Sequence, residues 1–471
     1  MFETCDNCIE VPITTRRQFL TRLGMGIGGL GLASLLSNDM FAAEEGTFSP
    51  LAAKTPPLPA KAKRVIHSFA NGAPSQVDTW DPKPALTKFN GQSIGGKGVA
   101  MGSPFKFNRH GKSGIEVSEV FPHLAEHVDE MAIIRSMYTD IPAHEIATVM
   151  MNTGSRQLIK PCLGSWSVYG LGSENQNMPG FISLRNGGGL PPGGSQNWGS
   201  SFLPGVFQGT SVNTQSASVE EMIQNIKNPY VSETEQRRQL DLIHQLNELH
   251  AQNLQKDAQL EARIEAYEIA FKMQSAASDA FDYRKEPAHV QEAYGNNAQG
   301  RQMLIARRLL ERGVRFVQVW AGGWDHHQDI EKRLPERAKE IDQPLAMLMT
   351  DLKQRGLLDS TLVVWGGEFG RTVTRDRNGN DNPGRDHNAK AFSIWMAGGG
   401  VKGGTVYGST DEFGAVAVEN KVHVHDLHAT ILTLLGFDAA KLTYRYNGRD
   451  FRLTDSIDPL HPVTPVRGII A

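Results

Sequence analysis

Short apolar runs closed by turn residues alternate along this chain with stretches of helical period, which predicts strands and helices laid down in turn. Residues 64–70, Arg-Val-Ile-His-Ser-Phe-Ala, form such a run and end at Asn71-Gly72-Ala73-Pro74, the pattern of a buried strand discharging into a loop. Met131-Ala132-Ile133-Ile134 predicts a second buried strand, and 144–152 a short helix stopped at Thr153-Gly154. The clearest unit is carboxyl-terminal. A strand over 314–320 precedes Ile341, Leu345, Leu348 and Leu352, which step by four, three and four along one helix face. Gly356 stops that helix, and 361–365 returns as a strand, a connection that favours a parallel, right-handed crossover and a sheet covered on both sides.

Two segments break this rhythm. Residues 218–284 are charged, glutamine-rich and almost free of glycine, with Leu242, Leu246 and Leu249 at helical spacing, and predict an inserted helical hairpin or lid. At the amino end, Thr15-Arg16-Arg17-Gln18-Phe19-Leu20 leads into a glycine-rich apolar run over 23–36, the layout of a twin-arginine signal peptide and too short for a membrane span. The leader is assigned to 1–43, an Ala/Pro/Lys linker to 44–63 and the main domain to 64–471. This predicts a periplasmic or extracellular protein, exported with the twin-arginine translocase as partner and without a stable membrane span after processing. Cys5 and Cys8 would leave with the leader, so Cys162 has no partner for an internal disulfide.

Composition narrows the function. A net charge of −3 over 471 residues gives no basic field for nucleic acid or an anionic membrane. The 48 glycines and 24 prolines predict many ordered loops, where sites are built.

Candidate chemistry gathers after the predicted strands. Asp325 and His327 follow a strand and the Gly322-Gly323 turn, at the carboxyl end of the sheet, where open α/β folds bind ligands. A carboxylate beside imidazoles suits zinc, manganese or iron; the competing reading is an aspartate capping the next helix beside surface histidines. Glu368, just past a strand, needs a cation there or an ion pair with Arg371. His387 and Asp386 lie in a Gly/Asn-rich loop beside Arg385, which places one metal ligand and one anion contact together. Ser75, in a Gly-Pro loop, is the hydroxyl nucleophile candidate, and a turn residue otherwise. His423, His425 and His428 alternate through a strand-like stretch into a helix and are left out of the metal list.

Three motifs carry a family resemblance. Thr361-Leu362-Val363-Val364-Trp365-Gly366-Gly367-Glu368-Phe369-Gly370 is similar to the sulfatase segment ending in a metal-binding Ser-Asp-His-Gly, with Glu368 in the aspartate's place and Phe369 in the histidine's. The 144–154 helix resembles the sulfatase nucleophile helix, with His144 at the nucleophile position, and 425–436 resembles a late architectural helix. Gly72-Ala73-Pro74-Ser75-Gln76-Val77-Asp78, Trp324-Asp325-His326-His327 and Gly384-Arg385-Asp386-His387-Asn388 resemble signatures of the family called domain of unknown function 1501 (DUF1501), within the alkaline phosphatase superfamily.

The resemblance implies an α/β fold, an alkaline phosphatase/sulfatase-like three-layer sandwich with a mostly parallel central sheet and a helical insertion. It implies a metal-dependent hydrolase of phosphate or sulfate esters acting on an anionic small molecule or polysaccharide. Asp78 would replace the superfamily's first-strand aspartate, whose position falls near Asn71. Asp78, Asp325, His327, Glu368 and His387 would then hold one or two divalent ions (zinc, manganese or calcium), with His144 and Ser75 as catalytic candidates and Arg385, with Arg371, as anion clamps. The rival is a non-catalytic binding or assembly protein on the same scaffold, which His144 and Phe369 would suit. A third reading is a lipid- or wall-associated esterase with Ser75 as nucleophile.

Overall fold

Successive side chains of a strand point to opposite faces of its sheet, and here both faces are apolar, so the sheet is buried on both sides. The structure, a computed structural model, describes residues 49–95, 98–157, 159–216, 218–223, 230–253, 258–376, 382–455 and 462–471. The chain divides into units Met1–Thr47 and Phe48–Ala471. The leader, with Cys5 and Cys8, lies outside the described residues.

Among the described residues the main sheet comprises β1 (Arg64–Phe69), β2 (Met131–Tyr138), β3 (Phe181–Arg185), β4 (Thr210–Asn213), β5 (Phe316–Trp320), β6 (Thr361–Gly366), β7 (Phe392–Ala397), β8 (Thr405–Tyr407) and β9 (Val422–His423). Its order is β8-β2-β7-β6-β1-β5-β3-β4, with β9 also paired to β2. Every ladder is parallel except those of β7, which runs antiparallel to β2 and β6. The central strand β1 sets Ile66 opposite Val317 of β5 and Val363 of β6.

The longer helices are α1 (His144–Thr153), α2 (Leu163–Leu171), α3 (Glu233–Asn253), α4 (Ala258–Ala280), α5 (Ala298–Glu311), α6 (Ile330–Gln354) and α7 (Val424–Leu434). Ile66, Val317, Val363 and Trp365 pack under α5 and α6, while Val65, Phe69, Leu362 and Val364 pack under α1, α2 and α7. The result is a mixed α/β fold of three layers with a mostly parallel central sheet, as expected. Each fully buried Leu, Ile or Val contributes roughly 1.5–3 kcal/mol.

Element by element the expectations hold with shifts at the ends. The strand placed at 314–320 begins at Phe316. The second strand runs on to Tyr138. The stripe Ile341, Leu345, Leu348 and Leu352 extends back through Ile330, Leu334 and Ala338, all buried, and α6 continues through Pro335 and Pro344. Tertiary burial of that face outweighs the local cost of proline. The 218–284 segment contains the hairpin α3–α4, clasped by a two-pronged pair in which Arg237 Nη2 and Nη1 lie 2.6 and 2.8 Å from the Glu268 carboxylate. Leu242 and Leu246, however, face solvent, whereas Leu240 is buried. The 49–63 stretch forms neither helix nor strand and straps α2 and α7, with Lys54 N donating to Leu171 O (2.8 Å) and Ala62 N to Leu434 O (2.9 Å). No described helix is long and apolar enough to cross a membrane.

The end of α1 is fixed from α7. Gly154 terminates α1 with φ 65°, and the imidazoles of His425 and His428 donate from Nε2 to Gly154 O and Met151 O, both at 2.8 Å. Carbonyls that a helix end leaves unpaired are thereby satisfied. His425 and His428 are structural, in keeping with their omission from the metal list.

Two deeply buried histidines set an acid limit. Burial lowers His67 to about 4 and His428 to about 3. Both are neutral in the folded chain, whereas the unfolded chain takes up their protons below about pH 6.5, so stability is full above that value and falls as pH drops toward 4. Each contributes a loss of about 2–3 kcal/mol between pH 7 and pH 4.5. His67 packs edge-on to Phe69 and Phe316. Urea denaturation of His67→Leu at the two pH values should therefore show a pH dependence shallower by about that amount; an unchanged slope would rule the assignment out.

Candidate metal centre

Four segments deliver side chains to the carboxyl ends of the parallel strands. Beyond β5, Gly323 (φ +94°) turns the chain so that Trp324 and His326 are buried while Asp325 and His327 face outward. Beyond β6, Glu368 and Phe369 are buried. His144 is the first residue of α1, on the connection from β2. His387 arrives on a short antiparallel ladder in which it opposes Arg371.

That ladder reaches the 325–328 segment only because position 384 has no side chain. A Cβ on Gly384 would lie 2.3 Å from His326 O and from His327 C. Gly72 is constrained in the same way, with φ +107° and a Cβ position 2.7 Å from Asp325 N.

The imidazoles converge. Nδ1 of His144 meets Glu368 Oε1 at 2.5 Å, Nδ1 of His327 meets Asp376 Oδ2 at 2.6 Å, and Nδ1 of His387 meets Pro142 O at 2.9 Å. Carboxylates and carbonyls accept, so each ring carries a hydrogen on Nδ1 and turns its Nε2 the other way. All three Nε2 atoms face Asp325 Oδ1, at 3.3 Å from His144, 3.0 Å from His327 and 3.3 Å from His387. The Nε2 atoms of His327 and His387 lie 3.0 Å apart.

This donor set fits a metal ion. His144 Nε2 is buried against Asp325 Oδ1 at 3.3 Å, and three Nε2 atoms gathered on one carboxylate oxygen call for positive charge among them, carried by a proton on a ring or by a metal ion. Tetrahedral ligands bound at about 2.0–2.1 Å stand about 3.3–3.4 Å from one another, close to the 3.0–3.3 Å that separates each Nε2 from Asp325 Oδ1. His144, Asp325 and His387 form one potential metal-holding group, and His327, Asp386 and His387 another.

The electrostatics agree. Burial opposes ionisation of Asp325, but hydrogen bonds from His144, His387 and Arg371 outweigh it and hold the carboxyl far below its usual range. Burial likewise opposes a charge on His144, yet the carboxylates of Asp325 and Glu368 push it up to about 9. A metal ion at Nε2 would displace that proton.

Of the expected ligands, Asp325, His327 and His387 come together, and His144, expected at the nucleophile position, joins them. Glu368 touches His144 Nδ1, Gly72 N and Asn71 Nδ2, on the far side of the ring from Nε2. Arg371 pairs with Asp325 at 2.5 Å, and no hydrogen bond or ion pair joins it to Glu368 among the described residues. Asp78 belongs to neither metal-holding group: Arg385 Nε and Nη2 bind its two oxygens at 2.6 and 3.0 Å, and Ser75 donates to it at 2.5 Å, all buried.

Arg385 therefore cannot serve as the expected anion clamp. Its remaining donors go to Thr372 O and Met101 O, and it is fully buried. Arg371, likewise buried, gives its donors to Gly72, Ala73 and Arg385 carbonyls and to Asp325. Ser75 is buried with its hydroxyl on Asp78, away from the role of a free nucleophile. Sequence reasoning missed Asp376 and the Pro142 carbonyl; a loop aspartate and a main-chain oxygen carry no motif that would reveal them.

A model of the family described as "Protein of unknown function (DUF1501)" matches residues 62–464. No curated protein matches the chain. Among solved structures the chain is similar to Ps i-CgsB in complex with k-i-k-neocarrahexaose (12% identity, TM-score 0.37, 80% of this chain and 72% of that chain). It is also similar to the PsFucS1 sulfatase from Pseudoalteromonas sp. (13%, 0.36, 80% and 68%). A third is the alkaline phosphatase of the Antarctic bacterium TAB5 (11%, 0.33, 81% and 99%).

Because Asp78 neutralises a buried guanidinium, Asp78→Ala should destabilise the domain by about 3–5 kcal/mol in urea denaturation. The folded fraction should keep its full metal content by elemental analysis. Loss of metal without loss of stability would instead make Asp78 a ligand.

Proposed function

The chain belongs to the DUF1501 family, and we propose that it is an exported, metal-dependent hydrolase of phosphate or sulfate esters with His144, Asp325, His327 and His387 as metal ligands. The observation that carries this reading is the convergence of three Nε2 atoms on Asp325 Oδ1, each ring oriented by an acceptor at Nδ1.

Three nitrogens and one oxygen favour zinc, with manganese or iron next; calcium, which takes six to eight oxygens, suits this set poorly. Such an ion supplies polarisation of the ester oxygen and a water acidic enough to attack at neutral pH.

The chain's own groups set the rest. His327 and Asp325 are the more exposed of the four, so substrate approaches over them, while the Phe369 ring packs 4.8 Å from both the His144 and the His387 rings and keeps water off the inner side. With His144 facing the cluster and Ser75 bound to Asp78, the reaction uses water directly and not a covalent intermediate on the chain. The arginines are engaged internally, so substrate charge is met at the metal position itself. The leader at 1–43 would deliver the domain to the periplasm or beyond by the twin-arginine route.

A non-catalytic scaffold draws its support from the burial of Ser75 and Arg385; one experiment separates the two. Elemental analysis of the purified mature protein should find zinc or another transition metal. His327→Ala and Asp325→Ala should lose it, and hydrolysis of p-nitrophenyl phosphate or sulfate should fall to background. A native protein that holds no metal and takes up none, with variants of unchanged stability, would defeat the metal reading; full metal occupancy without turnover of either ester would favour the scaffold.

A further inference from the structure

We infer that Glu368 and Asp376 are positioning residues of the metal centre: each holds the Nδ1–H of one ligand imidazole, and neither touches the ion. This rests on reading the cluster as a metal centre, and it reverses the role that the sequence resemblance implies for Glu368.

Glu368 is fully buried, and its oxygens are already engaged. Oε1 accepts from Gly72 N at 3.0 Å and His144 Nδ1 at 2.5 Å, with Asn71 Nδ2 at 3.5 Å; Oε2 lies 3.3 Å from Gly72 N. The two ring nitrogens of an imidazole point in diverging directions, so a carboxylate bound to Nδ1 is separated from whatever Nε2 faces by the ring itself. Glu368 thus stands behind His144. Asp376 repeats the arrangement behind His327, its side chain almost wholly buried and its backbone N donating to Gly384 O at 3.0 Å. The third ring, His387, has the neutral Pro142 carbonyl in the same place.

Outer partners of this kind fix the tautomer and ring orientation and raise the basicity of the ligating nitrogen. Without Glu368 the His144 ring could place its hydrogen on Nε2 and turn a donor toward Asp325, closing the ligand position. The same holds for Asp376 and His327.

The test is zinc affinity by competition with a chromophoric chelator, together with the visible absorption of the cobalt-substituted protein, which reports the coordination sphere independently of activity. Glu368→Gln and Asp376→Asn, which keep an acceptor and remove the charge, should bind zinc about 10–100-fold more weakly. They should still take up cobalt in the wild-type stoichiometry with the wild-type band pattern, and Asp376→Glu should recover part of the affinity. Variants with wild-type zinc affinity, or with a changed cobalt spectrum showing a lost ligand, would overturn the assignment. Should Glu368→Gln fail to fold because its amide nitrogen cannot take the place of a buried carboxylate oxygen, Asp376→Asn decides the same question. A wild-type protein that binds neither zinc nor cobalt defeats the metal reading itself, an outcome distinct from a metal-binding wild type whose variants are unaffected.

Discussion

A buried guanidinium must be met by acceptors on every side, and in this protein that requirement at Arg371 holds the site together. Its Nε donates to Ala73 O at 2.9 Å, Nη1 to Arg385 O at 3.1 Å, and Nη2 to Gly72 O and Asp325 Oδ1, both at 2.5 Å. Gln76 grips its main chain from both sides, giving Nε2 to Arg371 O and taking Arg371 N, each at 2.8 Å. One side chain thereby joins the loop after β1, the loop after β5 and the 384–388 loop. Leaving any of these acceptors out would strand a charge in the interior at a cost of several kcal/mol. The loops therefore keep their places for reasons of folding, and the ligand geometry is a consequence.

Arg385, another buried guanidinium, extends the same logic one layer down by fixing Asp78 and with it the short helical turn Gln76–Thr79. The helix that carries His144 is fixed from both ends: Glu368 takes His144 at its start, and His425 and His428 take the carbonyls at its close. A shift of α7 would be transmitted along α1 to His144, a proposed metal ligand. The placement is of the kind a metal site needs, since ligands must be held by groups that do not themselves depend on the ion.

Much of this was legible in the sequence, for reasons that differ residue by residue. Asp325 and His327 were visible because a strand ending in glycines presents the next few side chains at the sheet's carboxyl edge, and His387 because it sits in a glycine-rich loop. Glu368 was visible as a site residue, but its side of the His144 ring is a matter of side-chain direction, which spacing does not encode. Asp78 and Arg385 stand 307 positions apart, and a pairing at that distance leaves no trace in one sequence. Leu242 and Leu246 show the converse error: a helical period predicts a helix but not which face is covered, and the Arg237–Glu268 pair directs the hairpin contact elsewhere.

The positions at which this chain differs from the sulfatase motifs it resembles are mutually consistent. Asn71, near the position of a ligating aspartate, offers an amide that lies 3.5 Å from Glu368 instead. Phe369, in place of a ligating histidine, packs against both the His144 and the His387 rings. With neither of those positions offering a ligand, the carboxylate at 368 stands behind His144, and on the proposed reading His144 itself serves as a ligand. Asp325, the carboxylate proposed as a ligand, is paired with Arg371, so its charge is largely offset by a neighbour that is itself buried. On the proposed reading, three neutral imidazoles and one offset carboxylate leave a divalent ion nearly its full charge, which is what an anionic ester would meet in a site where neither Arg371 nor Arg385 is free to bind it.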